Sequence, residues 1–159
     1  MTMRTGAIVI AVLASVVAPR AQSPLARQIT ADALITGSPR LRDGVHSLVG
    51  EAAACGVIPK ESSLTGVANF VIEVAGLTSG TMTSITFGSR DLTGRLDKTG
   101  SFRLTVGVPR APHYVLNTDP PKNGNMGEAT ISTLKGVTTL KVVGQNDMNE
   151  RIDLTVTCR

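Results

Sequence analysis

The segment RIDLTVTC, residues 151–158, alternates without a break: Ile152, Leu154, Val156 and Cys158 fall on one side, Arg151, Asp153, Thr155 and Thr157 on the other. A period of two is that of a strand with one face in a core. What constrains the fold most is the residue that ends it. Cys158 lies on the apolar side, and the chain has one other cysteine, Cys55.

Whether the two meet depends on compartment, and the start of the chain speaks to that. Arg4 gives a positive beginning, residues 7–18 form an apolar run, and small residues follow to Ala21. This is the order of a secretory signal peptide. The run is well short of the roughly twenty residues that a membrane-spanning helix needs. Residues 1–21 are therefore expected to be a signal peptide cut after Ala21, although Pro19 is unusual at such a site. Retention of the segment as a membrane tether is the alternative. No cysteine precedes Cys55, so no lipid anchor is expected. In an exported domain an even cysteine count reads as a disulfide before it reads as a metal or redox site. Cys55 and Cys158 are expected to be bonded, which would hold a terminal strand that otherwise frays.

The remaining residues suffice for one domain. Residues 22–45 read as an N-terminal arm with a first strand, residues 22–30 being loose, and residues 46–159 as the main domain. Sixteen glycines, abundant Thr, Val and Ile, and 3% aromatic residues suit short strands joined by turns. Phe70, Ile72 and Val74 alternate as the terminal strand does, and so do Phe102, Leu104, Val106 and Val108. Further strands are expected near 31–36, 46–55, 82–88 and 113–118. Two hairpins can be drawn. A Lys135-Gly136 turn sets Ile131 beside Leu140 and Ala129 beside Val142. A turn at 97–100 pairs Asp97 with Ser101, bringing Leu96 beside Phe102 and Leu92 beside Val106. With no amphipathic helix after residue 21, the expected fold is all-β: a disulfide-closed antiparallel β-sandwich, or in the alternative a small β-barrel.

The net charge of +4 is scattered, without the basic stripe and interleaved aromatics of a nucleic-acid binder, so no nucleic-acid partner is expected. His46 and His113 stand alone, and neither a metal nor another cofactor is expected from them. Ser101, His113 and Asp97 carry the residue types of a nucleophilic triad but no motif that would assemble them; they read as turn residues. Glu73 reads as part of a solvated face. In SPRLRDG, residues 38–44, Arg40 and Arg42 would share one side of an extended segment and could face an anion, but a solvated turn with Asp43 as counterion is the plainer reading. In the 97–100 hairpin Arg95 would stand opposite Arg103, where like charges repel. Either Asp97 and other acids neutralise them, or Arg95 and Arg103 form an anion-binding pair.

The stretch GEATISTLKGVTTLKVVG at 127–144, the terminal Val156-Thr157-Cys158 and LVGEAAAC at 48–55 resemble the mycobacterial surface lipoprotein antigens of the LpqH type. The resemblance covers about half of the chain beyond residue 21. It implies a disulfide-closed β-sandwich at, or shed from, a mycobacterial cell envelope, antigenic and without enzymatic chemistry. The family's lipidated cysteine behind the signal peptide has no counterpart here, so lipid anchoring does not carry over. The functional expectation is a non-enzymatic, monomeric, secreted or cell-envelope protein that engages a lipid, a glycan or a host surface protein. The alternative is a carrier that holds a lipid or other apolar ligand between its sheets.

Overall fold

The structure, a computed structural model, describes residues 27–58, 69–74, 78–90, 96–118 and 124–159. The signal peptide expected at 1–21 and the side chain of Arg95 lie outside them. The described residues form strands and turns only: β1 (Arg27–Thr36), β2 (Gly44–Ile58), β3 (Asn69–Val74), β4 (Ser79–Gly80), β5 (Ser84–Arg90), β6 (Leu96–Thr99), β7 (Phe102–Gly107), β8 (Tyr114–Asn117), β9 (Met126–Leu134), β10 (Val137–Gln145) and β11 (Arg151–Cys158). Antiparallel pairing links them in the order β6-β9-β10-β11-β1-β2-β3-β5-β7-β8, with β4 added to β2.

The terminal strand behaves as its alternation requires. Ile152, Leu154, Val156 and Cys158 are buried, and Arg151 and Asp153 are exposed. The β9–β10 hairpin has the expected register, Ile131 opposite Leu140 and Ala129 opposite Val142. Lys135 and Gly136 both have positive φ, 49° and 80°. That is the geometry of a two-residue turn whose twist matches its strands.

The other expected hairpin does not form. β6 pairs with β9, Leu96 opposite Ser132 and Thr99 opposite Ala129, while β7 lies between β5 and β8. Arg103 therefore faces Gly88 and Asn117 rather than Arg95. Both edges of β7 are occupied by longer-range partners, and β6 takes the free edge of β9. Reading two neighbouring strands in isolation cannot see that competition. The expected loose arm also ends earlier than residue 30. β1 starts at Arg27, pairs with β11 and β2 on its two sides, and buries Ile29 completely.

Hydrogen bonds join all eleven strands into one sheet, where the sequence led us to expect two stacked sheets or, in the alternative, a small closed barrel. The reason is β2. Its first part, to Ala52, pairs with β1, its second part pairs with β3, and the register shifts between Ala52 and Ala54. A bulge at that point bends the strand and raises its twist, so one strand serves both walls and the sheet curls into an open half-barrel. Its inner face holds the core. Phe70, Phe87 and Phe102 run from β3 through β5 to β7, Phe70 meeting Phe87 edge to face with ring centroids 6.2 Å apart and Phe87 stacking on Phe102 at 5.5 Å. The two walls meet where β8 and β7 lie over β10 and β9. An added Cβ at Gly144 would run into Leu116 Cδ2, and one at Gly127 would come within 3.2 Å of Phe102 Cζ. Glycine at both positions permits the close approach.

Cys55 of β2 and Cys158 of β11 are bonded, with their Cα atoms 6.6 Å apart and 103 residues between them in sequence. The two strands they belong to flank β1, and the Arg159 amide donates to the Gln28 carbonyl at 2.9 Å. The end of the chain is thereby tied on both sides.

Candidate functional site

Two loops meet at one rim of the half-barrel: residues 37–43, between β1 and β2, and residues 108–113, between β7 and β8. The first is built around a buried acid. Ser38 Oγ donates to Glu150 Oε1 at 2.6 Å and accepts from the Leu41 amide at 2.8 Å. Arg40 reaches both Glu150 oxygens, at 3.2 and 3.1 Å, and Asn146 Nδ2 donates to Oε2 at 2.7 Å. Burial alone would raise the Glu150 carboxyl, but the bonds from Ser38, Asn146 and Arg40 and the Arg40 charge hold it below the usual carboxylate range. Tyr114 donates to the Glu150 carbonyl at 3.2 Å. Its own hydroxyl is pushed well above the ordinary value by burial first and by the Glu150 charge second.

This network separates two arginines that the sequence placed together. Arg40 is committed to Glu150. Arg42 is exposed and makes no salt bridge with Asp43, whose carboxylate accepts from the Gly37 and Ser38 amides at 3.1 and 3.0 Å. Asp43 shapes the loop, and its single negative charge stands against two guanidinium groups in a shared groove, those of Arg42 and of Arg110 from the second loop.

The second loop supplies another arginine. The Ala111 amide donates to the Val108 carbonyl at 3.3 Å, and Arg110 has φ 59°. Pro109 and Arg110 are thus the central residues of a turn whose second position favours glycine. A non-glycine residue held there costs about 1–2 kcal/mol, and such strain concentrates at functional sites. Arg42 and Arg110 line one groove of about 630 Å³ together with Arg40, Asp43, Val45, His46 and Pro109. Among the described residues no acid pairs with either Arg42 or Arg110.

The floor of the groove is equally specific. His46 is buried; its Nε2 donates to the Arg42 carbonyl at 2.8 Å, and its Nδ1 is buried without a partner. That bond ties the ring to the backbone of the arginine above it. On the far side β4 presses against β2: the Thr81 and Met82 amides donate to the Ser47 carbonyl at 2.8 and 2.9 Å. Gly80, at φ 115°, lies so close to the Ser47 carbonyl that no side chain fits.

A second groove of about 510 Å³ lies on the outer surface of the sheet and is lined by Leu34, Val143, Met126 and the backbone of Gly127 and Gly144. The inner face is different, being filled by side chains such as Phe70, Phe87 and Tyr114 at 1% exposure or less.

Of the residues expected from sequence, Cys55 and Cys158 are joined. Arg103 is exposed on β7 but the structure does not bring it to either groove; Glu73, Ser101 and His113 are exposed as well. Arg110 escaped the sequence reading. The signal was present in Val-Pro-Arg-Ala, where a proline at the first central position marks a turn. No protein-family model, curated protein or solved structure matches the chain.

Proposed function

We propose that this is a non-enzymatic, exported protein of the secreted or cell-envelope kind, similar to the LpqH-type antigens, its curled sheet working as their sandwich does, and that it engages an anionic group in the rim groove. The observation that carries the reading is the convergence of Arg42 and Arg110, from two separate loops, on one groove where, among the described residues, neither forms a salt bridge and the acid in the lining beside them is Asp43, which is turned to the Gly37 and Ser38 amides. Guanidinium groups suit oxyanions because their planar donors match phosphate, sulfate and carboxylate oxygens. The disulfide supports an oxidising compartment, in keeping with the export signal expected at 1–21.

Titration of the purified protein with inorganic phosphate and sulfate at low ionic strength tests the groove. Saturable binding that weakens with added salt, and that is lost in Arg42→Ala/Arg110→Ala but kept in Arg103→Ala, is the expected outcome. Binding that survives the double substitution would place the anion elsewhere. Fractionation of the producing cells tests export, with recovery of full-length protein in the cytoplasm as the contrary result.

A further inference from the structure

The two grooves share a border. Val45 lines the basic groove and Leu34 the apolar one, and they stand opposite each other on paired strands, so their side chains lie on the same outer face. The row continues from Leu34 to Asp153 of β11 and Val143 of β10. Val45, Leu34, Val143 and Met126 are 70%, 46%, 59% and 62% exposed. An outward sheet face is ordinarily polar, and grouped apolar exposure marks a contact surface.

We infer that the ligand is a single-chain anionic amphiphile, its head group held by Arg42 and Arg110 and its tail laid over Val45, Leu34 and Val143 on the outside of the sheet. This rests on the reading of the rim groove as an anion site and adds the chemistry of the rest of the ligand. The charges orient it. In the apolar groove the negative Asp153, between Leu34 and Val143, offsets the positive Arg151, whose Nε donates to Gln145 Oε1 at 3.2 Å. In the rim groove Arg42 and Arg110 outnumber Asp43, so an anionic head is drawn to the rim. The tail needs no space inside the protein. At neighbouring strand spacings of about 4.8 Å, the path from β2 to β10 crosses three gaps, which a long alkyl chain spans.

Calorimetric titration of the purified protein with methyl phosphate, with dodecyl phosphate below its micellar concentration, and with dodecyl maltoside tests this. Dodecyl phosphate is expected to bind at least tenfold more tightly than methyl phosphate. Leu34→Thr/Val143→Thr should abolish that difference and leave methyl phosphate unchanged. Equal affinity for the two phosphates overturns the tail path while the anion site stands. Binding of neither phosphate overturns the anion site and the inference with it. Dodecyl maltoside binding as tightly as dodecyl phosphate overturns charge selection. Binding to anionic lipid vesicles without binding to monomeric dodecyl phosphate overturns the inference in favour of a membrane surface.

Discussion

Arg40 and Glu150, 110 residues apart in sequence, meet through both oxygens of a carboxylate whose side chain is fully buried. This pair anchors the β1–β2 loop to the β10–β11 turn, and it leaves Arg42 as the guanidinium of that loop that forms no salt bridge among the described residues.

Glu150→Gln should lower stability at neutral pH by about 2 kcal/mol, the scale of hydrogen bonds to a charged group. The pH dependence follows from the lowered carboxyl of Glu150. Its stabilising contribution is present above the ordinary carboxylate range and is lost as pH falls through the depressed native value. Melting curves across the acid range should therefore show a steeper loss for the wild type than for Glu150→Gln. Parallel curves would remove Glu150 as an acid-sensitive element.

Tyr114 is the only tyrosine in the chain, so its ionisation can be followed by absorbance alone. Burial and the Glu150 charge raise its hydroxyl, and the native state therefore retains the proton where the unfolded state would lose it. Its contribution to stability is intact below the ordinary tyrosine value and falls as pH rises beyond it. Phenolate absorbance should appear together with unfolding in an alkaline titration. Ionisation while the near-ultraviolet circular dichroism is still native would contradict the buried placement.

Arg110→Gly should stabilise the fold by about 1 kcal/mol, because glycine adopts positive φ without a Cβ penalty, and should weaken phosphate binding. Gain of stability with loss of binding is the signature of strain retained for function. Chemical denaturation and the phosphate titration together read both effects. A substitution that leaves binding intact would show that Arg110 is a turn residue only.

Cys158→Ser should cost about 2–4 kcal/mol, the usual range for a native bridge. Because one bond is lost in either case, Cys55→Ser/Cys158→Ser should be no less stable than the single variant. Hydrogen exchange should rise first at the Ile29–Cys158 end of the β1–β11 pair. An unchanged denaturation midpoint would mean that the strand pairing alone holds the terminus.

Much of the strand content was legible from residues alone. The alternation of 151–158 placed Cys158 on the buried side, and the Lys135-Gly136 turn set the β9–β10 register correctly. Two positive-φ residues between alternating strands leave few other solutions. The strand expected at 46–55 was real but shorter than β2, whose bend at Ala52/Ala54 depends on having β1 along one part and β3 along the other. The candidate site was only half visible, since Arg42 could be noticed as a charge in a turn while Arg110 lies in a loop 68 positions further along the sequence.

The amino-acid sequence by itself determined the all-β class, the inward faces of the regular strands and the two cysteines that join, because side-chain alternation and turn chemistry act over a few neighbouring residues. Only the tertiary structure decided that β6 leaves β7 for β9, that one sheet curls over its own core, and that Arg42 and Arg110 share a groove. Those outcomes depend on competition among distant strand edges and on which loops the curl brings together. Local pattern carries no information about either.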